Sequence, residues 1–190
     1  STPVLKVLRD HYPLSFIAMM VAPQARELVE GNPCVDEVIV FDKDRAHDGL
    51  LGTLRFSEQL KKKCFDIAII LHPTVRVHLV CFLAGIKERL GYDNKAPYFL
   101  TKSIPHTKQE GVKHELEYNF DLLKSLGITE IYRKLTMPIK QESECFVKDF
   151  LVKVGIKATD KVVAVNPASS CISRRWPVQR FAAVIDQLVT

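Results

Sequence analysis

Short apolar runs, many of them β-branched, alternate with longer amphipathic segments along most of the chain. The short runs predict buried strands, and segments with apolar positions three or four residues apart predict helices. Strands separated by helices pair in parallel through right-handed crossovers, so the pattern predicts a doubly wound parallel α/β fold. The predicted strands are 15–21, 38–41, 66–71, 89–92 and 162–165, with an extended piece at 98–100; the predicted helices are 3–11, 24–30, 50–63, 74–84, 115–126, 142–154 and a segment after Pro177.

A proline-marked stretch at Met137 and Pro138 separates two blocks of this alternation. We therefore predict one Rossmann-like lobe at 1–137, followed by a linker and the beginning of a second Rossmann-like lobe at 138–190. The second block is shorter than a Rossmann-like unit of typical size, which predicts a truncated lobe. We expect the chain in this form to be inactive by itself.

Composition excludes several classes of protein. The chain has 190 residues, 47% of them hydrophobic, and no apolar run approaches the length needed to cross a bilayer. Its five cysteines show no C-x-x-C pattern, which argues against a zinc site or a secreted disulfide framework and predicts reduced, mostly core cysteines in a cytoplasm. The net charge of +5 suits an anionic membrane surface as a partner, whereas no aromatic-rich basic motif indicates nucleic acid.

The most informative segment is 161–177, in which an apolar run leads through a polar loop to Trp176 and Pro177. The loop carries Ser169, Ser170, Arg174 and Arg175 just before a predicted helix, and a helix N-terminus attracts anions. This arrangement predicts a phosphate or diphosphate site. A solvated turn is the alternative, and the chain has neither a P-loop nor a G-x-G-x-x-G motif to support an ordinary nucleotide fold.

The loop resembles the donor-binding motif of the heptosyltransferases, the ADP-heptose:lipopolysaccharide family of GT-B glycosyltransferases, in its Asn-Pro start and its basic residue two positions before Trp-Pro. The resemblance covers almost the whole chain and rests on six short segments in the family's order. Besides the loop, they are the stretch from Thr2-Pro3 to Arg9, Asn32-Pro33 with Val35-Asp36-Glu37-Val38, Phe65-Asp66-Ile67-Ala68-Ile69, Ala84-Gly85-Ile86-Lys87 with Arg89 and Gly91-Tyr92, and His114-Glu115 with Tyr118-Asn119 and Leu126-Gly127-Ile128.

The resemblance implies an inverting glycosyltransferase that moves heptose from ADP-heptose to the Kdo or heptose of the lipopolysaccharide inner core, at the cytoplasmic face of the inner membrane. It assigns the general base to an aspartate of the family's opening motif, expected upstream of Ser1, so we name no catalytic residue here. It places Ser169, Ser170 and Arg174 on the donor phosphates, although turn capping is the alternative role of the two serines. The implied substrates are a nucleotide sugar and a lipopolysaccharide precursor, with no metal and no cofactor.

Candidate acceptor-binding residues lie in the first lobe. His72 and Thr74 follow a predicted buried strand, where open α/β sheets place ligands, and Arg76 follows within one turn. His114 and Asn119 resemble family positions that face the cleft between the lobes. A satisfied strand-end histidine is the alternative role for His72.

Two other functions agree with the same sequence. One is a GT-B enzyme that uses a different nucleotide sugar. The sequence leaves this alternative open because the region expected to bind the nucleoside base of the donor is not included in these residues. The other is a non-catalytic module that binds a sugar or a nucleotide.

Overall fold

A computed structural model describes residues 2–169 and 171–189. The chain divides into two compact units, 1–139 and 140–190, between Ile139 and Lys140. The helices are α1 (Thr2–His11), α2 (Gly49–Lys61), α3 (Val75–Leu83), α4 (Glu115–Lys124), α5 (Gln141–Lys153) and α6 (Val178–Val189), and the strands are β1 (Ala18–Val21), β2 (Glu37–Val40), β3 (Ile67–Ile69), β4 (Glu88–Tyr92) and β5 (Lys102–Ile104).

The strands of the first unit all pair in parallel, as predicted. One sheet has the order β1-β2, with Ala18 opposite Glu37, and the other has the order β3-β4-β5, with Ile67 opposite Glu88 and Leu90 opposite Lys102. Each parallel pair is joined through a crossover that returns the chain to the same end of the sheet.

Helices cover both faces of the three-stranded sheet, which makes the fold doubly wound. Successive residues of a strand point to opposite faces, so Ile70 packs with Phe56 and Val80 of α2 and α3. Its neighbours Ile69 and Leu71 instead contact the clusters built by α1 and α4, which include Val4, Phe120 and Leu123. The core is therefore two apolar layers with the sheet between them.

Two predicted elements of the first unit were wrong. Residues 24–30 do not form an α-helix: a 3-10 turn at Pro23–Ala25 is followed by isolated turns, since a segment this short before Gly31 gains too few helical hydrogen bonds to offset nucleation. Most of the piece at 98–100 is not extended either: Tyr98 and Phe99 belong to a 3-10 turn that begins at Pro97, Leu100 alone has an extended backbone, and the strand forms later as β5.

The second unit contains α5, a long irregular segment and α6. Residues 162–165, predicted as a strand, have no regular secondary structure. A strand needs a neighbour for its backbone N–H and C=O groups, and among residues 140–169 and 171–189 no strand is present to pair with. The expectation that most cysteines fill the core was also wrong: Cys34 and Cys81 are buried, whereas Cys64, Cys145 and Cys171 are exposed.

Candidate functional site

The first candidate site lies at the carboxyl edge of the β3-β4-β5 sheet. Because the three strands run in parallel, the segments that follow them begin at the same edge, and open α/β sheets bind ligands there. These segments are 70–74 after β3, 93–96 after β4 and 105–110 after β5. They bring together residues that are far apart in the sequence.

The segment after β3 carries two of the predicted acceptor residues, His72 and Thr74. His72 is exposed, and Thr74 is the N-cap of α3, with its Oγ1 accepting a hydrogen bond of 3.2 Å from the backbone N–H of Val77. The hydroxyl of Thr74 is therefore used, at least in part, to fix the start of the helix. His72 presents its imidazole to solvent at the edge of the sheet.

Arg76, in the first turn of α3, holds the segment that follows β2. Its Nη1 donates a hydrogen bond of 2.7 Å to the carbonyl oxygen of Lys43, and its Nη2 lies 4.0 Å from Oδ1 of Asp48. The side chain of Arg76 retains about a third of its exposure, and the residue follows Thr74 by two positions in the chain. Arg76 can thus contact an anionic group while remaining fixed by protein oxygens.

A lysine that the sequence analysis missed lies at the centre of this edge. Nζ of Lys108 lies 3.0 Å from the carbonyl oxygen of Leu71, 2.6 Å from Oε1 of Glu115 and 3.2 Å from Oδ1 of Asn119. It also lies 4.5 Å from the ring centroid of Tyr92, within cation–π range. Lys108 occurs in a polar segment with other lysines, and no spacing distinguishes it, so only the fold could reveal its position.

The structure separates the two predicted residues of α4. His114 is exposed and caps the helix: its Nδ1 accepts from the backbone N–H of Leu116 at 3.2 Å, while Glu117 accepts from the backbone N–H of His114. Asn119 is only 3% exposed, and its Oδ1 accepts from Lys108. In this structure Asn119 therefore acts on the sheet edge through Lys108.

Tyr92, the last residue of β4, contributes a buried aromatic ring to this edge of the sheet. Its side chain is buried at the end of β4, and its hydroxyl donates a hydrogen bond of 2.8 Å to the carbonyl oxygen of Tyr118. Burial raises the pKa of the Tyr92 phenol, so the group stays protonated and remains a donor. The ring of His106, just after β5, meets the Tyr92 ring edge-on at 5.3 Å between centroids.

The second candidate site is the serine- and arginine-containing loop of the second unit. Oγ of Ser169 accepts from the backbone N–H of Cys171 at 3.3 Å, which is the turn-capping role considered above, and a 3-10 turn follows at Ile172–Arg174. Arg175 donates from Nε to the carbonyl oxygen of Ser169 at 2.7 Å. Ser170 lies outside the described residues, as does the side chain of Arg174.

The helix after this loop begins where the sequence predicts. The carbonyl oxygen of Pro177 accepts from the backbone N–H groups of Arg180 and Phe181, which opens α6. The ring of Trp176 packs edge-on against that of Phe181 at 5.1 Å, an arrangement equivalent to a hydrophobic staple. The loop therefore ends at a helix N-terminus, the position that favours an anion.

In the ranges 2–169 and 171–189, no helix is both long and apolar enough to cross a bilayer. The same residues contain no group of three or more His, Cys, Asp or Glu side chains arranged to hold a metal ion.

Known structures share this fold. The crystal structure of a glycosyl transferase family 9 protein from Veillonella parvula DSM 2008 superimposes with a TM-score of 0.87 and 29% sequence identity. The match covers 98% of the present chain and 55% of the Veillonella chain. The structure of the E. coli ADP-heptose lps heptosyltransferase II matches with a TM-score of 0.71 and 22% sequence identity, over 99% of the present chain and 56% of the E. coli chain. At this identity the match supports the fold alone. The GT-B type of α/β fold implied by the sequence resemblance is thus confirmed.

The model of the family glycosyltransferase family 9 (heptosyltransferase) matches residues 53–190. The chain belongs to this family. Among curated members of glycosyltransferase family 9, lipopolysaccharide heptosyltransferase 3 of Escherichia coli (strain K12) is 26% identical over 99% of the chain, and lipopolysaccharide heptosyltransferase 2 of the same strain is 23% identical over 100%. The chain spans 55% and 56% of their lengths, about half of each.

Proposed function

We propose that the protein to which this chain belongs is an inverting glycosyltransferase that transfers heptose from ADP-L-glycero-D-manno-heptose to the Kdo or heptose of the lipopolysaccharide inner core. The observation that carries the proposal is the family 9 match over 53–190. Similarity to lipopolysaccharide heptosyltransferase 3 along nearly the entire chain supports the choice of sugar and acceptor.

The two candidate sites suit the two substrates of such a reaction. In the first unit, His72 and Arg76 offer a hydrogen-bonding ring and a positive charge at the carboxyl edge of the sheet, which suits an acceptor that carries carboxylate or phosphate groups. In the second unit, the loop before α6 offers hydroxyls and guanidiniums at a helix N-terminus. We assign the acceptor to the first unit and the donor diphosphate to Ser169, Ser170 and Arg174.

The chemistry needs a base on one side of the sugar and positive charge on the other. The acceptor hydroxyl attacks the anomeric carbon from the face opposite the diphosphate, the bond from that carbon to the diphosphate oxygen breaks, and ADP leaves with inversion. The hydroxyl proton passes to the aspartate that the family resemblance places ahead of Ser1. Arg174 stabilises the charge that develops on the leaving diphosphate, so the proposed transfer needs no metal.

The acceptor is part of a lipid, so the proposal includes the cytoplasmic face of the inner membrane as the place of reaction. The formal net charge of +5 favours contact with an anionic surface, because oppositely charged surfaces attract within a Debye length.

The test is release of ADP by the full-length protein. ADP-heptose is supplied with lipid A that carries Kdo, or with a core acceptor that ends in heptose, and UDP- and GDP-sugars are tested in parallel. ADP release that depends on the acceptor and continues in EDTA supports the proposal and its metal-free form. If turnover occurs with another nucleotide sugar and not with ADP-heptose, the result supports a different GT-B enzyme. Binding without turnover supports a non-catalytic module.

A further inference from the structure

We propose that Lys108 is a positioning residue for the acceptor site, in that its ammonium fixes the segment after β3 that carries His72 and Thr74. The proposal rests on the function proposed above. The juxtaposition that carries it is the placement of one ammonium between the backbone after β3, the end of β4 and the first two turns of α4.

The carbonyl oxygen of Leu71 lies beyond the ladder of the sheet. Pairing between β3 and β4 ends at Ile69 and Leu90, and the last inter-strand bond runs from the backbone N–H of Ile70 to the carbonyl oxygen of Leu90. Leu71 is half-buried, and a backbone carbonyl that is shielded from water outside the ladder needs a donor from elsewhere. Nζ of Lys108 supplies it at 3.0 Å, immediately before His72.

The other contacts make the ammonium a fixed group. An ammonium has three hydrogens, and three protein oxygens lie within 3.2 Å of Nζ. The side chain of Lys108 is 12% exposed and that of Asn119 is buried, whereas Glu115 is 63% exposed. The donors of Lys108 are thus directed to protein atoms, which favours positioning over direct contact with a substrate.

Loss of the ammonium has two separable consequences. It leaves Oδ1 of Asn119 buried without its donor, which lowers stability, and it releases Leu71, which allows His72 and Thr74 to move. The first consequence is repaired by an apolar side chain in place of Asn119, because two apolar groups need no hydrogen bond. The second is not repaired by that change.

The kinetic test uses the full-length protein with ADP-heptose and lipid A that carries Kdo. We expect Lys108→Met to raise the acceptor KM by about tenfold, the effect of one lost charge-assisted hydrogen bond, with the donor KM unchanged. Lys113→Met is the matched control, since Lys113 also pairs with a carboxylate, that of Asp121, and lies near a tyrosine ring, that of Tyr118, but both of these partners are on α4 and neither is on the segment after β3. That control should keep both KM values.

The double variant Lys108→Met with Asn119→Leu separates positioning from stability. We expect it to recover most of the thermal stability lost in Lys108→Met while its acceptor KM remains high. Recovery of the acceptor KM together with stability would overturn the proposal, and so would an equal rise in donor KM in Lys108→Met.

Amide hydrogen exchange tests, without any turnover, whether the bond from Lys108 to Leu71 holds the segment after β3 in place; we call this bond the tether. Lys108→Met should accelerate exchange over 70–76 and leave 178–189, in the second unit, unchanged. If the wild-type protein shows no transfer to any acceptor, the proposed function fails, while exchange still decides the tether. Unchanged exchange over 70–76 would refute it.

Discussion

Nε of Arg175 donates a hydrogen bond of 2.7 Å to the carbonyl oxygen of Ser169 and thereby closes the loop that precedes α6. Arg175 is exposed and directly follows Arg174 in the loop. The contact joins the two ends of the loop, so the conformation offered to a diphosphate depends on it.

We predict that Arg175→Lys weakens donor use even though it keeps the positive charge. A lysine has no Nε–H at that place along the side chain, so the bond to Ser169 is lost. The donor KM should rise by about three- to tenfold, as expected for one hydrogen bond, with the acceptor KM unchanged. Arg180→Lys, an exposed change in the first turn of α6, is the control and should have no effect; an unchanged donor KM in Arg175→Lys would contradict the prediction.

Arg174→Ala should reduce donor use more strongly than Arg175→Lys. The family resemblance places Arg174 on the donor phosphates, and removal of a charge that stabilises a leaving diphosphate lowers kcat by about 100-fold or more. Steady-state kinetics in ADP-heptose provide the measurement, and circular dichroism should show that folding is intact. Near-normal donor KM and kcat would show that the assignment is wrong.

Arg76→Ala should act on the acceptor. Its guanidinium donates to the carbonyl oxygen of Lys43, so its loss removes a charge and releases the segment that follows β2. We expect the acceptor KM to rise by about tenfold. Arg55→Ala, an exposed arginine of α2, is the control. A change confined to the donor KM would show that Arg76 does not serve the acceptor.

Gly52→Ala should destabilise the protein, although alanine ordinarily favours a helix by about 1 kcal/mol over glycine. A Cβ at Gly52 would lie 2.4 Å from the backbone carbonyl carbon of His47, which is too close for any contact. The loop would have to move away from α2, at a cost of about 1–3 kcal/mol. Urea unfolding measures the difference, with the exposed Gln59→Ala on the same helix as control; equal or greater stability of Gly52→Ala would contradict the clash.

Asp36 should make stability depend on pH in the acid range. Its Oδ2 accepts from the backbone N–H of Ile17 at 2.7 Å and pairs with Nη2 of Arg9 at 2.5 Å, and these contacts lower the pKa of the carboxyl below its usual value of 3.8. A carboxyl whose pKa is lower in the folded state stabilises the fold above its unfolded pKa, and this stabilisation is lost as pH falls through the folded pKa.

We therefore expect the wild type to unfold at higher urea concentration than Asp36→Asn at pH 6–7. The difference in urea midpoint between the two proteins should shrink as pH falls from about 4 toward the lower pKa that Asp36 has in the folded protein. Urea unfolding curves of both proteins at several pH values measure this difference. A difference that stays constant through this range would show that the ionised carboxylate is not the source.

The element pattern was predictable where it depended on local spacing. Strands β1 to β4 and the longer helices lie within a few residues of the predicted positions, and α6 begins just after Pro177. The failures occurred where a partner or a turn decides the structure. Residues 162–165 have the composition of a strand but no strand to pair with among residues 140–169 and 171–189, and Pro97 begins a turn where an extended piece was expected.

The candidate site shows the same division. His72, Thr74 and Arg76 were predicted because ligands gather at the carboxyl ends of parallel strands; the structure places His72 and Thr74 after β3 and Arg76 in the first turn of α3, and their acceptor-binding role stays a prediction. His114 and Asn119 were chosen by resemblance, and their sequence positions gave no indication that one caps α4 while the other is buried against Lys108.

By itself the sequence determined the alternation of strands and helices, the parallel fold and the family, because apolar periodicity and short ordered motifs are local properties. Only the tertiary structure decided which polar groups meet. Lys108 binds the carbonyl oxygen of Leu71, 37 residues away, and that encounter depends on the parallel pairing that brings the ends of β3, β4 and β5 to one edge. A distance between residues so far apart in the chain is fixed by packing, and no local spacing encodes it.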